Sequence, residues 1–439
     1  MNIKEVLAVR NHLEKFLEPY KGLIGRSERM QNGRLYISGL LLDGERKSIQ
    51  PMAERLPGGN EQNLQQFVNQ SPWEHEPVMA KLWEEMSSWD GNENGVLVLD
   101  DTTFPKKGDD SVGVAPQYCG ALGKIANCQC IVSWHYAGEK RHWPVKAELF
   151  LPESWRGKKR ASKAGVPDDR RKIKTKWELA LRIFDEVRQG IPHRAVVFDA
   201  WYGESKKALE ELDSRKELFV GAIPCNHSFW PVDVVMTANE NKTGRPRQYP
   251  VVADSRLKPI KAQDWGKAAE GWKNIRLKTR KRSVVQAKAF RVLETNHQYW
   301  RRPGIERWLI VEKELSGRLN YYVSNFPETA SLEDMIFTVH ERWKVEQGYQ
   351  RLKEELGVDH FEGRSWRGLH HHITLCFLAY AFLLCAGDRL KKTVSPSRSS
   401  ADGSTRYFPR PDAPSAESGW GRSAGSFLTT QYAMVGGIT

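Results

Sequence analysis

Residues 96–108 read VLVLDDTTFPKKG, and the reading of this stretch decides the fold. Val96 to Leu99 form an apolar run without polar alternation, the pattern of a strand buried on both faces. The run stops at two carboxylates, Asp100 and Asp101, and TTFPKKG then supplies turn chemistry and two lysines, Lys106 and Lys107. Side chains alternate along a strand, so Asp100 and Asp101 point to opposite faces and only one can face a shared site. An Asp in this place is a turn cap unless a second group joins it. AVVFD at 195–199, followed by AWYGE, supplies that second group: Asp199 leaves another buried-type strand in the same way.

Working outward, CQCIVSWHYAG at 128–138 and WPVKAELFLP at 143–152 read as strands, so the first three strands form an antiparallel meander. KIKTKWELALRIFDEVRQG at 172–190 has apolar residues at helical spacing. The strand RAVVFDA, a helix from Glu204 to Ser214 and the strand ELFVGAI follow. Three strands, then helix, strand, helix, strand describe an α/β core with a mixed sheet and flanking helices.

Before this core, residues 1–88 look helical and are expected to form an N-terminal DNA-binding domain. After the first part of the core (89–225) comes a β-rich insertion (226–327), with strand-like SVVQAKAFRVLE, RWLIVEKEL and RLNYYVSN. The final part of the core (328–391) holds one long helix predicted from Ser331 to Leu356 and an apolar helix from Leu369 to Leu390. Residues 392–439 are rich in Ser, Pro and Gly and poor in aliphatics, the composition of a disordered tail.

Sixty-seven Lys and Arg against 54 Asp and Glu give a formal charge of +13, which favours a polyanionic partner, nucleic acid first. The N-terminal MNIKEVLAVRNHLEKF lacks the apolar centre of a signal peptide, and no stretch of about 18 uncharged apolar residues follows, so no membrane partner is expected. The apolar run from Ile373 to Ala386 reads as a buried helix. Six cysteines in 439 residues do not make a disulfide framework, so a reducing, cytoplasmic location is expected. Cys119, Cys128, Cys130 and His135 lie close in sequence, but their spacing matches no paired zinc pattern.

On the helix after Ser331, Arg342, Glu346, Tyr349 or Gln350, and Lys353 fall on one face. Such a face is ordinarily a solvated row of ion pairs; a carboxylate flanked by cations also suits a metal site approached by phosphates. Three carboxylates satisfy a hard divalent cation and leave room for water and phosphate.

Together these residues resemble the DDE-superfamily transposases of bacterial insertion sequences, built on an RNase H-like core. In that family the first catalytic Asp precedes a Thr after an apolar strand, which selects Asp101 in LDDTTFPKKG, and the second corresponds to Asp199 in VVFDAWYGE. The third lies in a helix carrying Tyr-x2-Arg-x3-Glu-x6-Lys. RWKVEQGYQRLK supplies Arg342, Glu346 and Lys353 at those spacings, with Val339 in the Tyr position. YISGLLLDGERKS (36–48) and ELGVDHFEGRSWRGLHHH (355–372) extend the resemblance over residues 30–385.

The resemblance implies that Asp101, Asp199 and Glu346 hold two Mg²⁺ ions, replaceable by Mn²⁺, which drive DNA cleavage and strand transfer. It implies as partners the terminal inverted repeats of the element and target DNA, with two copies joined in the synaptic complex. Arg342, Lys353, Lys106 and Lys107 are candidate phosphate contacts, as are the basic stretches 156–176 and 278–282. Trp300, with Trp265 and Trp272, is a candidate for stacking on an unpaired base, although such a residue is more often core. His370, His371 and His372 cannot all face one site and read as packing residues. The alternative readings are an inactive DNA-binding regulator derived from a transposase, or a nuclease without joining activity.

Overall fold

A computed structural model describes residues 3–237, 250–277, 284–295 and 302–394 of the chain. The longer helices before the first strand are α1 (Ile3–Leu17), α2 (Ser27–Leu41), α3 (Ile49–Arg55), α4 (Glu61–Asn69) and α5 (His75–Asp90). The side chain of Asn60 accepts from the backbone N–H of Asn63, closing the start of α4. These helices bury Tyr36, Leu40, Phe67 and Leu82 in the same apolar core that holds the C-terminal helix and one face of the sheet.

The meander follows as β1 (Val96–Pro105), β2 (Ala115–Cys119), β3 (Lys124–Ala137) and β4 (His142–Phe150). β2 is additional to the sequence reading. APQYC has no apolar run, and it becomes a strand because β3 continues past the end of β4, on the side away from β1, and offers it an edge, where Pro116 is tolerated. Next come α6 (Lys176–Val187), β5 (Ala195–Phe198), α7 (Lys206–Ser214) and β6 (Phe219–Ala222). A capping box fixes the start of α6: the Thr175 hydroxyl accepts from Glu178 N–H while the Glu178 carboxylate takes the Thr175 N–H.

The remaining strands of the main sheet are β7 (Ser228–Pro231), β8 (Ile260–Lys261), β9 (Lys273–Arg276), β10 (Val284–Thr295), β11 (Pro303–Lys313) and β12 (Leu319–Ser324). All join one sheet among the described residues, in the order β8-β7-β10-β11-β12-β6-β5-β1-β3-β2, with β9 on β10 and β4 on β3. β1, β5 and β6 run parallel, and β3 is antiparallel to β1, which is the mixed RNase H-like arrangement. The stretch read as an insertion therefore extends the core sheet, because β12 pairs with β6 through Tyr322 with Ala222 and Val323 with Gly221.

The helix predicted as one piece from Ser331 to Leu356 is divided. α8 (Leu332–His340) starts on the Ser331 cap and α9 (Trp343–Gln350) follows after a tightened turn. At that turn Glu341 N–H reaches Thr338 O and Arg342 N–H reaches Val339 O, i to i−3 bonds that redirect the axis. A wide turn, Arg351–Glu355, then closes with Leu356 N–H on Arg351 O. The last helix, α10 (Trp366–Val394), extends the expected apolar segment at both ends, and its residues from Leu369 to Phe382 are buried under α2, α4, α5 and β4. It is long and apolar enough to cross a membrane, yet 83% of its apolar window is buried within the fold. The calls on 278–282, on Trp300 and on all but the first residues of the tail lie outside the described residues.

Candidate active site

β1 and β5 pair in parallel with Val98 beside Val197 and Leu99 beside Phe198. Parallel neighbours in register point to the same face, so the next two residues, Asp100 and Asp199, lie side by side. The cores on the two faces identify which face this is. Val98 and Val197 pack with Ile336, Val339 and Val345 of α8 and α9, whereas Leu97, Leu99 and Phe198 pack with Leu181 and Leu209 of α6 and α7. Asp100 therefore faces α9, and Asp101 faces α6.

On the α9 side, Arg342 Nη1 stands 3.7 Å from Asp100 Oδ2, and Arg342 Nη2 donates to Glu346 Oε1 at 2.6 Å. Glu346 is half exposed at 50%, while Asp100 is largely covered at 16%. Burial, then the charges of Asp199 and Asp101, push the Asp100 carboxyl up to about 7, with Arg342 opposing them. Burial also raises Asp199, against the backbone N–H groups of Tyr202 and Trp201 that donate to its Oδ1 at 3.2 and 3.0 Å. Across from Asp100 on β3, Ser133 Oγ shares a 2.6 Å hydrogen bond with the Tyr349 hydroxyl of α9 and a 2.9 Å bond with His135 Nε2. Tyr349 is thus half-buried on the Asp100 side of β1.

On the α6 side, Asp101 Oδ2 accepts from Lys176 Nζ at 3.0 Å and from the Tyr202 hydroxyl at 3.3 Å, and Cys130 Sγ lies 3.6 Å from Oδ1. The Asp101 carboxylate is held by these donors and turned away from Arg342.

The predicted phosphate contacts separate. Lys353 Nζ reaches Thr103 O at 3.4 Å, at the end of β1 below Asp100, and burial lowers its ammonium below the usual range. Lys106 is engaged inside the fold: Nζ donates to Phe361 O at 2.6 Å and Asp359 O at 3.3 Å, and burial brings it down to about 8. Lys107 is exposed. In the stretch 156–176, Arg170 is committed to the buried Glu148, while Lys159, Lys163, Lys172 and Lys174 are exposed. Trp265 packs against Phe290 at 5.2 Å between ring centres, and Trp272 donates its N–H to Ala269 O. Each of the three adjacent histidines is buried and contacts a backbone carbonyl: His370 at Trp366 O, His371 at Val68 O and Trp73 O, His372 at Gly357 O. Lys176 and Tyr349 flank the carboxylates, and two exposed tryptophans, Trp201 and Trp343, lie close in the chain to Asp199 and Arg342. Their place in the chain, two residues after Asp199 and one after Arg342, was the available signal for the tryptophans.

Two neighbouring aspartates supply hard oxygen donors, and their raised proton affinity comes first from burial, with the charges of acidic neighbours, Asp101 among them, adding to it. Glu346 is held to Arg342, and among the described residues no group of three ligands is gathered tightly enough to hold a metal as it stands. The chemistry of Asp100 and Asp199, paired hard oxygen donors, is of the kind that could hold a divalent cation.

A family model described as DDE superfamily endonuclease matches residues 19–291. Over 217 residues the chain is 26% identical to the probable transposase for insertion sequence element IS701 of Microchaete diplosiphon. That alignment covers 49% of this chain and 54% of the relative, so the chain spans about half of the relative's length. Among solved structures, the piggyBac transposase synaptic complex with hairpin DNA covers 93% of this chain, and the match takes in 70% of that one, at 10% identity and a TM-score of 0.43. The NurA nuclease of Sulfolobus solfataricus matches 73% of this chain and 93% of its own at a TM-score of 0.22. The family match includes β1 and β5 with their terminal aspartates and stops before α9. On that match, which takes in more than half of its residues, the chain belongs to the DDE superfamily of endonucleases.

Proposed function

We propose that this chain is the transposase of a bacterial insertion sequence, cutting DNA phosphodiesters at the element ends and joining the freed 3′ ends to target DNA. The observation that carries the reading is the side-by-side placement of Asp100 and Asp199 beneath Arg342 and Glu346. Asp100, Asp199 and Glu346 are proposed as the metal ligands, with Asp100 in place of the Asp101 selected by resemblance. Two Mg²⁺ ions, with Mn²⁺ as substitute, would activate the attacking oxygen and stabilise the departing one.

The protein's own groups do the positioning. Arg342 carries a planar guanidinium that can exchange Glu346 for a phosphate oxygen pair, releasing the glutamate toward Asp100 and Asp199. Lys353, drawn in beside Thr103, adds a cation under the scissile group. Tyr349 and Ser133 fix the β3 side of the Asp100 pocket. Asp101, neutralised by Lys176, braces the end of β1 from the opposite face. DNA carrying the element's terminal repeats is the proposed substrate, with two copies of the chain holding two ends.

The test incubates the protein with its flanking element ends and Mg²⁺ or Mn²⁺ and measures cleavage and strand transfer. Asp100→Asn, Asp199→Asn and Glu346→Gln are each expected to lower the rate by at least about 10³-fold, while Asp101→Asn retains measurable cutting. Full cutting by Asp100→Asn together with loss in Asp101→Asn returns the ligand role to Asp101. Full cutting by Glu346→Gln overturns the site.

A further inference from the structure

Ser133 of β3 lies directly across from Asp100 of β1, and cross-strand partners project to the same face, so its hydroxyl shares the pocket of that carboxylate. Two further polar groups join it. Tyr349 Oη stands 2.6 Å and His135 Nε2 2.9 Å from Ser133 Oγ, and the phenol and imidazole rings meet edge-on at 4.9 Å between centres. Ser133 and His135 are both buried. His135 Nδ1 has no hydrogen-bond partner among the described residues, and it faces Gly348 of α9, where a Cβ would come within 3.3 Å of it.

Burial, with His142 nearby, brings His135 down to about 3, so the ring is neutral and carries a single proton. That proton fixes the direction of the chain of bonds. On Nδ1 it would be a buried donor without an acceptor, and orphaned buried N–H groups are rarer in folded proteins than orphaned acceptors. On Nε2 it donates to Ser133 Oγ and leaves only an unused lone pair at Nδ1. Ser133 has one hydroxyl proton, and with Nε2–H directed at its oxygen that proton goes to Tyr349 Oη. The phenol O–H is left over. It cannot return to Ser133, and the carboxylate beside Ser133 on this face is Asp100, whose Oδ1 takes the Asp101 N–H at 2.7 Å while Oδ2 has Arg342 at 3.7 Å. Resting on the reading of Asp100 as a metal ligand, we propose that His135, Ser133 and Tyr349 form a one-way hydrogen-bond chain that ends on Asp100 and orients its oxygens for a divalent cation. Tyr349 is the positioning residue and His135 the anchor. Hydrogen bonds to ligating carboxylates hold them in place, and losing one costs about 10–100-fold in metal affinity.

The probe is Mn²⁺ alone, bound to the full chain without DNA and followed by electron paramagnetic resonance, with nitrogen NMR of labelled histidine as the second readout. The parent should take up Mn²⁺ and show His135 as the Nε2–H tautomer. Tyr349→Phe and Ser133→Ala should each weaken Mn²⁺ binding about tenfold or more, and the double variant should lose little beyond either one, because each cut opens the same chain. His135→Leu should match them. His135→Gln, whose amide N–H stands in for Nε2–H, should recover most of the affinity. Matching thermal unfolding of Tyr349→Phe and the parent separates the loss from misfolding. The proposal is overturned if Tyr349→Phe binds Mn²⁺ as the parent does, if the losses of Tyr349→Phe and Ser133→Ala multiply, if His135→Gln is no better than His135→Leu, or if His135 carries its proton on Nδ1. With Asp100→Asn losing Mn²⁺, any of those results removes the chain alone. Asp100→Asn binding as the parent does, or a parent that binds no Mn²⁺, removes the ligand reading and the chain with it.

Discussion

At the scale of single residues, adjacent Asp100 and Asp101 have opposite employment because a strand alternates. Asp100 sits against Asp199 with a carboxyl raised to about 7 by burial and its acidic neighbours, so near neutral pH about half of the molecules hold a proton there that a cation must displace. Calorimetry of Mg²⁺ binding at pH 7 in two buffers of different ionisation enthalpy should therefore register proton release, falling as the pH rises well above 7. Asp100→Asn should remove it and Asp101→Asn should keep it; equal release in both variants would contradict the assignment. Lys106 offers the converse case, a lysine beside the cleft whose ammonium is spent on Asp359 O and Phe361 O. Lys106→Met should cost about 1–3 kcal/mol in denaturant unfolding by leaving those carbonyls unpaired, with little change in the salt dependence of DNA binding.

At the scale of elements, Asp199 depends on how closely β5, the turn after it and β6 approach. A Cβ on Gly203 would stand 2.0 Å from Ala222 O, and one on Gly221 would stand 1.8 Å from the Phe198 ring. Neither backbone can retreat without moving the turn that donates two N–H groups to Asp199. Gly203→Ala should therefore destabilise by about 1–3 kcal/mol and lower cleavage more than Gly221→Ala, whose clash falls on the buried Phe198 ring rather than on the turn that holds Asp199. Cleavage rate measured beside the unfolding midpoint checks this, and an unperturbed Gly203→Ala would mean that the turn tolerates displacement. The division between α8 and α9 has a related effect. It turns Arg342 and Glu346 toward the ends of β1 and β5 while leaving Ile336 and Val345 in the core beneath the sheet.

At the scale of the whole molecule, α10 joins the N-terminal helices to the sheet. Leu378 is fully buried there, and Leu378→Ala should cost about 2–5 kcal/mol in denaturant unfolding, far more than any exposed leucine such as Leu315. The same interior stores histidines as neutral rings. Burial, with nearby cations or rings, lowers His75, His135, His142 and His372 each to about 3, and His370 well below its ordinary value. In the unfolded chain these groups take up protons near pH 6.5, so stability is full above that value and declines as the pH falls toward about 3. Each contributes up to about 1.4 kcal/mol per pH unit in that window. Urea unfolding at pH 7.5 and pH 5 should show the loss; equal stability at the two values would rule it out.

The apolar runs ending in Asp100, Asp101 and Asp199, the helical face with Arg342 and Glu346, and the buried character of α10 were legible in the sequence. Strand burial, helical periodicity and capping are local, and they act through residues a few positions apart. The parallel register that sets Asp100 rather than Asp101 beside Asp199 is not local; it arises from two strands 99 residues apart and from which face α9 covers. Nor did periodicity mark β2, which exists because β3 outruns β4, or the junction of β12 with β6, which joins the β-rich stretch to the core sheet. Lys106 and Lys353 read alike as cations near the cleft, and only the carbonyls around Lys106 divert it to structure. The sequence by itself determined which residues carry charge at the ends of buried strands. The tertiary structure decided which of those charges meet, because pairing register and burial are set by distant contacts.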